Sequence, residues 1–212
     1  MNARNHLITS GATAVVLYNA FHHLAPDSFA DVPLTLAGAG YLLDHPLLLL
    51  APPILLMKLA YYGGISFGAL WPDIDIETST ISRRLPWISI VYRAFFSHRT
   101  FTHSCLGTVI GCLLGLLTLL LGIPFLTTQG LLFSPWLVPS LTLFLIAINV
   151  GCLLHIWEDS MTIAGVRWFW PAKTAWHFLF FRFRSGGATE HLLVMSYAAG
   201  IGALIFFHTL VF

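Results

Sequence analysis

Charge is what this chain lacks. No Asp, Glu, Lys or Arg occurs between Arg99 and Glu158, and none follows Glu190. Soluble domains do not leave such stretches bare, because their surfaces need polar groups to meet water. Charged residues make up 9% of the chain against 57% hydrophobic, with a mean hydropathy of +0.81. A soluble globular domain is excluded. Cysteine is also scarce. Cys105, Cys112 and Cys152 all sit in apolar tracts, which reads as small packing residues rather than disulfides or zinc thiolates. There is no basic tail or stripe, so no nucleic-acid partner is expected, and the net charge of +1 selects no other. No repeat or low-complexity linker divides the 212 residues. They are expected to form a single membrane-embedded domain.

What is present is long apolar runs. A helix needs roughly 20 mostly apolar residues to cross the hydrocarbon core. The expected spans are about 7–24, 47–70, 104–126, 136–157 and 192–211. The fold class is therefore all-α, a polytopic bundle of about five transmembrane helices. The run after Arg4 superficially resembles a signal peptide, but it carries His22 and His23 and lacks a small-x-small cleavage site; a retained first helix is expected. Pro52 and Pro53 in the second run predict a kink, or a helix that starts after them.

Basic residues set the orientation. Arg83, Arg84, Arg93 and Arg99 fall between the second and third runs, and Arg167, Lys173, Arg182 and Arg184 between the fourth and fifth. The 25–46 segment carries only Asp27, Asp31 and Asp44. A cytoplasmic N-terminus then puts every basic loop inside. Both inner loops also mix aromatics with arginine, over 87–96 and 175–184. This is the composition of amphipathic segments lying in the headgroup layer. Such segments would roof a site at the interface and admit a lipid-like substrate sideways.

The orientation sorts the polar clusters as well. His6 starts the first run, Asp73 and Asp75 follow the second, and His98 and His103 precede the third. His155 and Asp159 close the fourth, and Glu190 and His191 open the fifth. All fall at one membrane face. His155 and Asp159, four apart, share a helix face and suit one cation, although a capping Asp near an interfacial His has the same spacing. Asp73 and Asp75 alternate around Ile74, and in an extended turn both carboxylates reach a shared site or bridge two ions; a polar loop with Glu77 is the plain alternative. His98 and His103 are expected to straddle a helix start, with Thr102 as cap. Arg99 suits an anionic substrate group or a lipid headgroup. Glu190 suits a ligand, a general base or a helix-dipole partner. His22, His23, His45, His177 and His208 lack a carboxylate neighbour or the right side, and read as packing or interfacial residues.

At this point the chain resembles the bacterial inner-membrane proteins described as metal-dependent hydrolases, the YdjM-like family. The resemblance is carried by His6, Pro72-Asp73-x-Asp75, His98-Arg99-x-x-x-His103-Ser104 and His155-x-x-x-Asp159-Ser160-x-Thr162-x-x-Gly165, then Trp170-Pro171 and the Glu190 region. It implies a multi-pass inner-membrane hydrolase dependent on a divalent metal. The His-x-x-x-Asp helix is also similar to an element of the zinc phospholipase C and P1 nuclease fold, which implies zinc, two or more ions and phosphoester hydrolysis.

The expected function is thus hydrolysis of a phosphoester, lipid-like in character, by a metal-activated water at the cytoplasmic interface. The expected ligands are His6, Asp73, Asp75, His98, His103, His155 and Asp159. Glu190, Arg99 and Asp75 are the expected catalytic residues, and membrane lipid the expected partner. The leading rival is a transporter of divalent cations or protons built on the same residues. Transporters place ionisable groups near the bilayer midplane, whereas these gather at helix ends. A structural protein with scattered interfacial histidines is the second rival.

Overall fold

The computed structural model describes residues 2–24, 53–129, 137–178 and 182–211. Among them the regular structure is helical: α1 (Ala3–Leu24), α2 (Pro53–Leu70), α3 (Thr80–Arg84), α4 (Pro86–Phe95), α5 (Cys105–Thr128), α6 (Leu137–Ser160) and α7 (Ala188–Val211). Two 3-10 turns, Trp71–Asp75 and Phe101–His103, follow α2 and precede α5. The described residues form no strand, only isolated bridges pairing Thr162 with Phe183 and Val166 with Trp176. The all-α expectation holds.

Three helices among the described residues are long and apolar enough to cross a membrane: Cys105–Thr128, Leu137–Ser160 and Ala188–Phe207. α1 and α2 are present as helices where the first two spans were expected. α2 begins at Pro53, the N-terminal position that a proline tolerates because its missing N–H is not needed there. The acidic segment 25–46, the start of the second run over 47–52 and most of the 127–135 turn lie outside the described residues.

Small residues decide how the bundle closes. α2 packs most extensively on α6. A Cβ on Gly68 would stand 2.0 Å from the Ile148 carbonyl oxygen, and one on Gly151 would stand 2.3 Å from that of Ile65. Gly64 meets Ala147 in the same way, at 2.6 Å. Backbones approach this closely only where side chains are absent, which is how small residues spaced four apart join helices in lipid. On α6 the residues Ala147, Gly151, His155 and Asp159 repeat every four positions and are all buried. The stripe that packs against α2 at one end carries metal-ligand chemistry at the other. α1 repeats the device with His6, Ser10 and Ala14, all buried, and the Tyr61 hydroxyl of α2 donates to the Ala14 carbonyl at 2.9 Å.

Candidate metal centre

The polar residues that a greasy chain should avoid burying are here the most buried. His6, His103, His155, Asp159 and Glu190 are at most 1% exposed, and Asp73 and Asp75 are 8% and 6%. Burying ionisable groups is costly unless each finds a partner. Five elements bring these together: α1, the two 3-10 turns, α6 and the start of α7.

Three histidines share one arrangement. His155 donates from Nδ1 to the Ala69 carbonyl at 2.7 Å, a contact set by the close α2–α6 packing. His6 donates from Nδ1 to Glu158 Oε2 at 2.5 Å. The His103 Nδ1 lies 3.1 Å from the Thr102 hydroxyl, whose own proton goes to Asp75 Oδ2 at 2.6 Å. Each Nδ1–H thus faces an acceptor, which leaves each Nε2 as the ring nitrogen turned inward, able to hold an ion in its deprotonated form. The inward atoms converge. His103 Nε2 and His155 Nε2 are 3.3 Å apart, and Asp73 Oδ1 is 3.6 Å from both. Asp159 Oδ2 lies 3.7 Å from His103 Nε2 and 4.0 Å from His155 Nε2. The His6 ring stacks on His155 at 3.7 Å between centroids. Its Nε2 is buried without a hydrogen bond among the described residues, 3.5 Å from Asp159 Oδ1.

Donors from His6, His155 and Asp159, from Asp73, His103 and His155, and from Asp75, His98 and His103 form three groups whose atoms lie within 4.8 Å of one another. Imidazole nitrogen with carboxylate oxygen is a donor set for zinc and related divalent ions. The two turns show the electrostatics of the cluster. Burial alone would raise the Asp73 carboxyl, but the surrounding His155, His103 and His6 rings bring it down to about 2. Asp75 is likewise held below the usual carboxylate range against the effect of burial, by hydrogen bonds from His103, His98 and Thr102. Burial would lower His103, yet hydrogen bonds to Asp73 and Asp75 and the nearby Asp75 and Asp159 charges push it up to about 9.

Two local expectations change. Asp73 and Asp75 lie on a 3-10 turn, not an extended one. At three residues per turn they point to different sides of His103, Asp73 toward Nε2 and Asp75 toward Nδ1. Thr102 is not the helix cap: α5 starts later, and Ser104 caps it by accepting from the Gly107 amide at 3.0 Å. The Thr102 hydroxyl is committed to Asp75 instead.

The surrounding residues fix this geometry. His98 is half-exposed, and its Nδ1 sits 2.9 Å from Asp75 Oδ1. Arg99 has a positive φ of 59°, a backbone state costing a non-glycine residue roughly 1–2 kcal/mol. Three contacts hold it there: to Asp159 Oδ2 at 3.0 Å, to the Thr162 hydroxyl at 3.1 Å and to the Gly165 carbonyl at 3.1 Å. Glu190 falls in none of the donor groups. One of its oxygens accepts from the Asn5 side chain and the Asn2 amide, and the other from the Gly186 amide at 2.8 Å. It ties the start of α1 to the start of α7, one residue from His6. His177 packs beside Gly165 with its Nδ1 3.3 Å from the Thr162 carbonyl. Sequence reasoning gave Glu158 no role, yet it is 2% exposed and holds both His6 and the Ser10 hydroxyl. Its signal was there to read: a carboxylate three residues after His155 in a helix whose one other charged residue is Asp159.

The profile described as YdjM inner membrane protein matches residues 1–212. The chain belongs to the YdjM inner membrane protein family. The inner membrane protein YdjM of Escherichia coli (strain K12) is 36% identical over 109 residues, which is 51% of this chain and 47% of that one. The protein of the same name in Shigella flexneri matches to the same extent. An uncharacterized protein of Bacillus subtilis (strain 168), YvsG, is 29% identical over 122 residues, 53% of this chain and 64% of its own. The chain thus aligns with about half the length of the YdjM proteins it matches. No solved structure matches it. Family membership and three apolar helices of spanning length make it a bacterial inner-membrane protein, and this YdjM-family chain carries buried His/Asp groups able to hold a metal ion.

Proposed function

We propose that this protein is a metal-dependent hydrolase of a lipid-like phosphoester, with zinc at a site on the cytoplasmic side of the inner membrane. One observation carries the reading: the Nε2 atoms of His6, His103 and His155 turn toward Asp73 and Asp159, while every Nδ1 is committed to an acceptor. Scattered interfacial histidines have no reason to share a tautomer and a focus. The ion would be held by these five residues. A divalent ion there supplies Lewis acidity and brings the pKa of water toward 7.

The chain's own groups do the rest. Asp75 aligns His98 through Nδ1 and His103 through Thr102. A second ion in the Asp75, His98 and His103 group would need the His103 Nδ1 that already serves Thr102, so we assign Asp75 and His98 to proton handling. With Nδ1–H on Asp75, His98 Nε2 is free at the half-exposed edge to take or give a proton. Arg99 neutralises Asp159 on its outer side and keeps a positive charge at the entrance, where a phosphoester anion would sit. Glu158 and Glu190 position His6. The basic loops before α5 and after α6 support a cytoplasmic site.

Metal analysis of the full-length protein, purified without chelator, tests the reading beside Asp73→Ala and His155→Ala. The expected result is stoichiometric metal in the parent, loss in both variants with helical circular dichroism kept, and turnover of a lipid phosphoester by the parent alone. Metal-free parent protein refutes it. A metal-loaded parent that leaves phosphomonoester and phosphodiester lipids intact, yet moves cations into proteoliposomes, replaces it with a transporter.

A further inference from the structure

Beside the metal-ligand turns lies a cavity of about 540 Å³ between α2, α4, α5 and α6, within the range of about 300–1,000 Å³ typical of small-molecule sites. Its inner end is formed by Trp71, Thr102 and Cys152. Trp71 is two residues before Asp73, Thr102 holds Asp75, and Cys152 stands one turn before His155. Phe67, Tyr92, Phe96 and Phe101 also line it. Its outer end is formed by Gly111 and Leu114 of α5 and Leu145 of α6.

In a bilayer spanned by α5 and α6, that outer end would face hydrocarbon. α5 and α6 are two of the helices long and apolar enough to cross a membrane, and α5 has no buried residue along its length. Leu114 is ten residues beyond Ser104 and Leu145 ten residues before His155. At 1.5 Å per residue each is about 15 Å from the ligand end, half of the ~30 Å apolar core. Three of the polar side chains in the walls are already committed inside the protein. Thr108 donates to the Ser104 carbonyl at 3.1 Å, Asn149 to the Leu145 carbonyl at 2.8 Å, and Thr102 to Asp75. The rest of the lining is mainly aromatic and aliphatic, which suits an apolar chain that enters from the bilayer without leaving an apolar medium.

We infer that this groove binds one acyl chain of a membrane lipid, which enters sideways between α4 and α5 and brings its headgroup linkage to the Asp75–His98 edge of the metal centre. The inference rests on the hydrolase reading for what the headgroup meets, but chain binding is measurable without turnover. Gly111 sets the width of the outer end: a Cβ there meets nothing within 4 Å, so a large side chain fills the groove without displacing backbone. Gly122, on the same helix, is equally open and lies outside the groove.

The test reconstitutes the full-length protein in phosphatidylethanolamine and phosphatidylglycerol vesicles doped with a phosphatidylglycerol that carries a mid-chain diazirine. After illumination, mass spectrometry locates the label and metal content is read on the same samples. Label is expected on Phe95, Ile110 and Leu114 above the lipid-facing Leu120 and Leu121. Gly111→Phe should reduce it to the Leu120 level while keeping its metal, and Gly122→Phe should leave it unchanged. Groove labelling no stronger than at Leu120, or unchanged by Gly111→Phe, overturns the inference even if metal is bound. Groove labelling on a metal-free parent would leave chain binding standing and remove the hydrolase reading instead.

Discussion

Gly68→Ala adds one methyl group, yet it should damage the metal centre from a residue that touches no ligand. Ordinary contact begins near 3.4 Å, and the new Cβ would stand 2.0 Å from the Ile148 carbonyl oxygen, an overlap of 3.4 − 2.0 = 1.4 Å against backbone. Backbone cannot rotate away as a side chain does, so α2 and α6 must separate or slide. The next residue on α2 is Ala69, whose carbonyl accepts from His155 Nδ1 at 2.7 Å. A shift of 1 Å or more takes that hydrogen bond out of range and moves Asp73 away from His155 Nε2. Losing an orienting partner of a metal-bound histidine costs roughly 10–100-fold in metal affinity, and overpacking about 1–3 kcal/mol in stability. The matched control is Gly63→Ala on the same helix, whose Cβ would meet Phe144 at 3.9 Å. It should be neutral or gain up to about 1 kcal/mol of helix propensity. Chelator-competition titration of zinc into the metal-stripped protein, with thermal unfolding alongside, reads both effects. Equal zinc affinity in the Gly68→Ala and Gly63→Ala proteins would refute the argument that close helix packing sets the site.

Glu158→Gln keeps the shape of the side chain but removes the charge behind His6; we expect about 10–100-fold weaker zinc binding in the same titration, and unchanged affinity would show that His6 is not a ligand. For pH, His103 in the metal-free protein sits at about 9, so at neutral pH its Nε2 must lose a proton when an ion binds. Zinc affinity should therefore rise with pH up to about 9 with the release of one proton from His103 and flatten above, while Asp73, at about 2, adds no slope near neutrality. Proton release on zinc addition, followed with a pH indicator in weak buffer, checks the sign; release that does not diminish toward pH 9 would contradict it.

The sequence by itself determined more about chemistry than about shape. Its charge deficit dictated a helical membrane protein, because lipid leaves backbone groups no partner outside the helix. The same deficit made Asp73, Asp75, His103, His155 and Asp159 conspicuous, since few other polar groups surround them. The distribution of Lys and Arg predicts that they share one membrane face. Spacing alone also placed His155 and Asp159 on one side of α6, because a helix returns to the same face every four residues.

Only the tertiary structure decided which atoms meet. A 3-10 turn in place of an extended one sends Asp73 and Asp75 to opposite sides of His103, and that choice depends on α2 ending against α6. Tautomers follow from long-range partners: Ala69 for His155, Glu158 for His6, and Thr102 with Asp75 for His103. No local pattern encodes these, since the partners of the first two lie 86 and 152 residues away in sequence. Glu190 shows the same limit. Its sequence position suits a ligand, a base or a helix-dipole partner, and its donors come from Asn2 and Asn5 at the start of the chain and from Gly186 before α7. Which face of each helix turns inward was written in Gly64, Gly68, Ala147 and Gly151. Their meaning appears only when two backbones are close enough that a methyl group would not fit.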